Sequence, residues 1–185
     1  MGFNIEQFAN EFQGGARAYL FEWEPSIKTG MSLGEYTKVF VKSSTFPGSS
    51  VEEHVVEYQG VNFKSGGKQI YEDWTISFNL DIDGKLRKDF EKWIQLIYPV
   101  NDTEIKPNYY SDYKQDLEFK MLGLISFNLD FTAGIPDFGG VEPMILNIKL
   151  KNAWPKSVGP ITLDYSSQDF AQFDVTFSYQ YHVIT

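Results

Sequence analysis

The chain has 185 residues, of which 42% are hydrophobic and 17% aromatic, which suits one sizeable core better than two ordinary domains. The formal net charge of -9 argues against a protein that grips phosphate backbones, because that affinity needs clustered Lys and Arg. The lack of cysteine excludes disulfides and thiolate metal sites, and it fits a reducing compartment such as the cytoplasm. We therefore expect one domain over residues 1–185, with no membrane-spanning segment.

The first third of the chain predicts an N-terminal arm followed by short strands. Residues 1–15 carry Phe8 and Phe12 at helical spacing but end at a pair of glycines, which is typical of a marginal helix or a mobile arm. Strands are predicted at residues 16–24, 37–42 and 51–58, and a tight connection at 60–67.

The clearest strand covers residues 71–82, where apolar and polar side chains alternate. A helix over residues 84–98 is predicted next, because apolar residues then recur at spacings of three and four. Asp83 is the expected N-cap of this helix. Trp74 of the strand and Trp93 of the helix lie on the apolar faces, so we expect both to be buried between sheet and helix.

The second half of the chain predicts a long loop and then more strands. Residues 99–117 are polar, aromatic and unpatterned, which favours a loop. Strands are predicted at residues 119–131, 144–151, 161–165 and 172–183, and Trp154-Pro155 is expected to end the second of them. Many antiparallel strands with one helix predict a mainly β fold, an antiparallel β-sandwich or barrel with one flanking α-helix.

The sequence offers little catalytic chemistry. His54 and His182 lie in separate predicted strands among polar neighbours, which favours solvated or interface histidines over ligands. Paired carboxylates such as Glu52-Glu53 could serve a glycosidase, yet an acidic chain supplies many such pairs on solvated strand faces. We therefore predict no catalytic, cofactor-binding or metal-binding residues, and no enzymatic activity.

Several segments in a fixed order resemble a known family. They are residues 16–21 (ARAYLF), 46–48 (FPG), 71–76 (YEDWTI), 90–93 (FEKW), 152–159 (NAWPKSVG), 161–165 (ITLDY) and 172–177 (QFDVTF). In order and spacing they are similar to the tail tube proteins of T4-like contractile-tailed bacteriophages, and the resemblance extends over nearly the whole chain.

The resemblance implies a structural virion protein. Six such subunits would form a ring, and stacked rings would form a hollow tube inside a contractile sheath, which conducts double-stranded DNA during ejection. The implied partners are further copies of the chain, the tail sheath protein, and the tape measure and baseplate tube proteins. The implied location is the virion tail, after assembly in the bacterial host cytoplasm.

Two alternatives are open at this point. The regions 25–35 and 100–141 are longer than the usual connections of the family, so the chain could be a baseplate ring that initiates the tube. A different class of protein, a monomeric carbohydrate-binding β-sandwich, would place some of the aromatic residues on a concave surface.

The tube hypothesis assigns two groups of residues. A lumen-facing wall should consist of small or acidic polar residues, since Lys or Arg there would attract DNA, although the same residues could form a solvated outer surface. The predicted lumen-facing residues are Asp73, Thr75, Ser77, Asn79, Asp81, Gln172, Asp174, Thr176, Ser178 and Gln180. Contacts between subunits are predicted for aromatic and neighbouring residues outside patterned strands, namely Phe8, Phe12, Asn108, Tyr109 and Tyr110.

Overall fold

The computed structural model describes residues 18–25, 33, 35–99, 106–122, 144–166 and 168–185. Antiparallel strands dominate this part of the chain. The strands are β1 (Phe21–Pro25), β2 (Val41–Ser44), β3 (Ser49–Tyr58), β4 (Val61–Tyr71), β5 (Trp74–Asn79), β6 (Gln115–Leu122), β7 (Met144–Val158), β8 (Gln172–Ser178) and β9 (Tyr181–Ile184). The helices are α1 (Lys85–Ile97), the short α2 (Tyr110–Tyr113) and a 3-10 helix over Glu35–Phe40.

Strand β7 joins the two halves of the main sheet. The strand order is β1-β6-β7-β8-β5-β2, with β9 also paired to β7, and every pair is antiparallel. Residues 148–151 of β7 lie between β6 and β9, whereas residues 154–158 pair with β8. The predicted mainly β fold with one flanking helix is confirmed.

The change of partners along β7 takes place at Asn152. Its backbone φ of 56° lies in the left-handed region, which Asn tolerates better than most residues. Its N–H donates to the Asp116 carboxylate at 3.1 Å, and its side-chain amide donates to Gln180 at 2.6 Å. Its carbonyl accepts a hydrogen bond from the Tyr110 hydroxyl at 3.0 Å. The bend is thus fixed by three separate parts of the fold.

An aromatic core lies between the ends of the curled sheet and helix α1. The Trp23 ring on β1 is 4.9 Å from Phe78 on β5 and 6.2 Å from Phe90 on α1, measured between centroids. These contacts bring β1 across to β5, although three strands separate them in the sheet. Trp74 and Trp93 are only 1% and 2% exposed, which confirms their predicted burial.

Strands β5 and β8 have the alternation that the sequence predicts. Ile76 lies opposite Val175 and Phe78 opposite Phe173, and all four side chains are buried. The predicted strand over residues 71–82 is too long, however, because β5 covers only Trp74–Asn79. Tyr71 ends the preceding strand, and the residues beyond Leu80 lead into α1.

Helix α1 begins with a cap from Asp81 and not from Asp83, the predicted N-cap. The Asp81 carboxylate accepts hydrogen bonds from the N–H groups of Lys85, at 2.8 Å, and Leu86, at 3.1 Å. Gly84 makes this possible, since its φ of 61° turns the chain so that Asp81 lies under the first helical turn. The Asp83 prediction is therefore wrong.

The strand predicted at 37–42 is mostly a 3-10 helix, and β2 begins at Val41. The Tyr36 hydroxyl donates to Asp89 of α1 at 2.6 Å, and the neighbouring Thr37 is fully buried. A helical turn can direct these adjacent side chains inward together, whereas a strand would place them on opposite faces.

The tight connection predicted at 60–67 is also wrong, because these residues lie in β4 or its turn. The chain reverses at Gln59 and Gly60, whose φ angles are 50° and 78°. Gly67 has a different role, since a Cβ atom there would lie 3.0 Å from the carbonyl oxygen of Glu52 on the paired strand.

Boundaries in the second half also differ from prediction. The predicted loop over 99–117 contains α2 and the start of β6, and residues 100–105 lie outside the described part. Pro155 does not end β7, because a register shift next to it accommodates the missing N–H. Residues 161–165 form no strand, and the strand predicted at 172–183 is divided at 179–180.

The remaining strand predictions are confirmed in part. The predicted strand 16–24 overlaps β1 at residues 21–24, and residues 16 and 17 lie outside the described part, whereas 51–58 lies inside β3. The predicted strand 119–131 overlaps β6 as far as Leu122, and residues 123–131 lie outside the described part.

The cap of α1 gives a testable prediction about stability. Asp81→Ala should lower the free energy of unfolding by about 1 kcal/mol, because two N–H groups of the first turn lose their acceptor. Asp83→Ala is the matched control and should change it by less than about 0.5 kcal/mol. Urea unfolding of the purified variants measures both values, and a larger loss for Asp83→Ala would contradict this assignment of the cap.

Candidate functional site

Strands β3 and β4 form a two-stranded hairpin separate from the main sheet. Every side chain from Ser49 to Ile70 is exposed. An isolated hairpin is at best marginally stable in water, so a long one without packing on either face is unusual. The hairpin is therefore the first candidate contact surface.

One face of the hairpin is apolar. Tyr58 pairs with Val61 and Val56 with Phe63, which places these four side chains on one face. We call this group the apolar hairpin face, and its members are between 47% and 70% exposed. The opposite face carries Glu53, Glu57, Asn62 and Lys64 around the single apolar residue Val55, with an ion pair from Lys64 to Glu53 at 2.8 Å. The sequence pattern predicts a tight connection where β4 runs, so it does not indicate this surface.

The hairpin joins the body at an aromatic cluster. The Tyr71 ring, at the end of β4, lies 5.1 Å from the His182 ring and 6.0 Å from the Tyr179 ring. The Tyr179 hydroxyl is 3.4 Å from Nδ1 of His182. Burial raises the pKa of Tyr179 to about 12, and burial also lowers the pKa of His182.

The predicted lumen-facing residues of β5 and β8 come together on one surface. Thr75 lies opposite Thr176 with 3.1 Å between the hydroxyl oxygens, and the Ser77 hydroxyl donates to Asp174 at 2.5 Å. We call this outer surface of β5 and β8 the hydroxyl face. Asn79 and Gln172 pair at its end, and Asp73 and Ser178 lie at the other end.

Two predicted members lie beyond the ends of these strands, and a third, Asp73, directly precedes β5. Asp81 follows β5, and its carboxylate caps α1. Gln180 follows β8, and its side chain accepts the hydrogen bond from Asn152. Both lie past the last residue of their strand, where the alternating pattern no longer determines the face.

Two lysines reach the hydroxyl face from neighbouring strands. Lys42 of β2 donates to the Gln172 side chain at 2.6 Å, and Lys156 of β7 lies 2.6 Å from Asp73. The predicted residues include no Lys or Arg, but the folded hydroxyl face does, because these two side chains reach it. Only the order of strands in the sheet shows which side chains arrive from adjacent strands.

The other half of the main sheet carries a second polar surface, which is rich in charged side chains. On this ladder face, formed by β1, β6 and β7, Lys149 lies 3.3 Å from Glu118 and Lys151 lies 2.8 Å from Asp116. Lys120 donates to Glu24, and this hydrogen bond holds the pKa of Glu24 below its ordinary value. The ladder face is therefore internally paired.

Three of the five residues predicted for subunit contacts lie in the described part of the chain. Phe8 and Phe12 lie outside the described residues. Asn108 donates to the Leu96 carbonyl at 2.7 Å and Tyr110 to Asn152, so both hold their own subunit together. Tyr109 is 80% exposed.

Comparison with known proteins gives the family. A family model described as "Phage tail tube protein" matches residues 6–185. The chain belongs to the phage tail tube protein family. It is 24% identical over 180 residues to "Tail tube protein gp19" of Enterobacteria phage T4, which covers 96% of this chain and 98% of that protein.

Two solved structures share the fold. The sheath/tube terminator of the extracellular contractile injection system PVC, in the extended state, has a TM-score of 0.61 at 15% identity, over 91% of this chain and 95% of that one. The PVC sheath-tube complex has a TM-score of 0.54 at 15% identity, over 100% and 99%. The expectation of a structural tail tube subunit rather than an enzyme is thus confirmed, and the family argues against a monomeric carbohydrate-binding module.

The cluster at the base of the hairpin gives a pH prediction for this tail tube protein. Because the pKa of His182 is lowered on folding, the unfolded chain binds a proton first as the pH falls below about 6.5, and stability is lost over that window. His182→Gln should therefore lose less free energy of unfolding between about pH 7 and pH 5 than the unchanged protein.

Urea unfolding at both pH values measures this difference. A further measurement at about pH 8, where the imidazole is neutral in both states, gives the packing cost of the substitution alone. Equal pH dependence in the two proteins would contradict the role assigned to His182.

Proposed function

We propose that this tail tube subunit forms rings of six, and that the rings stack into a tube that conducts double-stranded DNA inside a contractile sheath. The observation that carries the proposal is the hairpin, whose side chains are all exposed and which carries a cluster of four apolar residues near its turn. In a single subunit this arrangement exposes apolar area to water at a cost of roughly 25 cal/mol for each Å². A second copy of the chain is the partner that a self-assembling subunit always has available.

The geometry of the hairpin favours a neighbouring copy as its partner. Its amphipathic pattern gives one side for burial and one for solvent, which is the pattern of a strand pair packed on a surface. Burial of a side chain such as Phe63 or Val56 contributes about 1.5–3 kcal/mol each. Among the described residues, the hairpin contacts the body through the Tyr71 ring, and its side chains beyond Tyr71 are exposed.

The main sheet also supports ring formation. Strands β1 and β2 end the described strand order, so each presents one edge without a partner strand in that order. Unpaired edges favour pairing with further strands, and closure into a ring removes them. A ring of subunits would thereby cover the unpaired edges of the main sheet. The hairpins would connect one ring to the next.

The hydroxyl face is the proposed wall of the channel. Four charged side chains belong to it in the described structure, and the carboxylates of Asp73 and Asp174 balance Lys42 and Lys156. Duplex DNA carries about one negative charge per 1.7 Å, so a wall without net positive charge lets it pass without adhesion. The ladder face would then point outward, where the sheath would lie.

The remaining partners follow from the same proposal. The solved PVC structure is a complex of sheath and tube, which supports a sheath protein around this tube. The tape measure protein would occupy the channel before DNA, baseplate tube proteins would start the first ring, and assembly would take place in the host cytoplasm. A baseplate initiator ring is the second candidate, and it differs in forming a ring that does not stack on itself.

Electron microscopy of the purified protein tests the proposal. Tubes of stacked six-fold rings are the expected result. Single rings that never lengthen would favour the initiator, and a protein that stays monomeric at high concentration would overturn both.

The apolar hairpin face gives a prediction about stacking. Phe63→Ser should shorten the tubes or leave single rings, because it removes the phenyl ring that pairs with Val56 on the apolar hairpin face. Asn62→Ser is the matched control, since Asn62 is the adjacent residue on the opposite face, and it should leave tube length unchanged. Equal tube lengths for the two variants would contradict the role of this face.

The hydroxyl face gives a prediction about DNA. Tubes of Asp174→Lys should retain a short linear duplex at low KCl and release it as the KCl concentration rises. A closed circular plasmid cannot thread through a tube and reports binding to the outer surface alone. Retention of plasmid and linear duplex to the same extent would show that residue 174 faces outward.

A further inference from the structure

We propose that Asp73 is a positioning residue that keeps Lys156 in an ion pair, so that this lysine does not hold DNA as it passes. The inference rests on the proposed function, because it takes the hydroxyl face as the wall of the channel. It assigns to the Asp73 carboxylate a role other than stability, since an exposed ion pair adds little to the stability of a fold.

The pair spans a strand instead of joining neighbours. Lys156 lies on β7 and Asp73 directly precedes β5, and β8 runs between these two strands. Two strand spacings amount to about 10 Å, which an extended lysine and a short aspartate together can cross. The Nζ and Oδ2 atoms are nevertheless 2.6 Å apart, with the side chains 55% and 38% exposed.

The surface beneath the pair allows this crossing. The outward residues of β8 in this region are Thr176 and Ser178, whose short side chains leave space for the lysine chain above them. The pair therefore lies on the outer side of the hydroxyl face, where a duplex in the channel would meet it. A lysine with a free ammonium group at that point would present a cation to the phosphates.

The effect of the pair on DNA follows from ion exchange. A free lysine that contacts a phosphate releases a counterion from the duplex, and this release drives binding. When Lys156 is already paired, a phosphate has to displace the Asp73 carboxylate from it. The carboxylate, now without its partner, then takes up a cation from solution. The net release of ions falls towards zero, and with it the attraction.

A comparison within the same face separates pairing from net charge. Asp174 also lies on the hydroxyl face, but its carboxylate accepts from the Ser77 hydroxyl at 2.5 Å. Asp73→Asn and Asp174→Asn change the charge of the wall equally, while only the first releases Lys156. The double variant Asp73→Asn/Lys156→Gln removes both partners and restores the original net charge.

The experiment measures retention of a short linear duplex by sedimented tubes over a range of KCl concentrations, with a closed circular plasmid as the probe for the outer surface. We expect Asp73→Asn tubes to retain severalfold more linear duplex than unchanged tubes at low KCl, with a log-log salt slope steeper by about 0.9 per new contact. Asp174→Asn should retain clearly less than Asp73→Asn. The double variant should behave as the unchanged protein.

Other results would overturn the inference. Equal retention by Asp73→Asn and Asp174→Asn would mean that net charge alone matters, and retention by the double variant would exclude Lys156 as the cause. Asp73→Ser repeats the test if Asp73→Asn does not assemble. Intact Asp73→Asn tubes that retain no extra duplex overturn this inference alone, whereas an unchanged protein that forms no tubes overturns the proposed function itself.

Discussion

The contact of Trp23 with Phe78 and Phe90 determines the rest of the architecture. It brings β1 across the core to β5, so that a single sheet curls over the aromatic core, with helix α1 packed against that core by its buried side. Because the inner side of each main strand is filled by this core, the polar side chains of the same strands must point outward. The hydroxyl face and the ladder face are the two outer surfaces that this packing produces.

The parts of the fold that could be predicted from sequence are those with a long, regular pattern. The alternation in β5 and β8 and the helical spacing in α1 predicted their type and their buried residues, since burial on one face imposes that period. The hairpin lacks such a signal at its glycines, because the constraint on Gly67 is the approach of Glu52 from another strand. The 3-10 helix depends on Asp89, which lies more than fifty residues away from Tyr36.

The same distinction applies to the candidate site. Sequence placed Thr75, Ser77, Asp174 and Thr176 on one polar surface, because each belongs to a strand with strict alternation. It could not show Lys156 there, since that side chain arrives from a strand two positions away in the sheet. It also could not separate Asp81 from the surface, because a cap depends on the conformation of Gly84 as well as on the pattern.

The bend in β7 has a mechanical consequence for a tube inside a contracting sheath. A single covalent strand crosses from one half of the sheet to the other at Asn152, and hydrogen bonds to β6, β8 and β9 flank it along its length. Tension along such a strand acts on many of these bonds in shear at the same time, whereas tension at a sheet end would open them one after another. Force that reaches one half of the subunit is thus transmitted to the other half as a rigid displacement, without unzipping either.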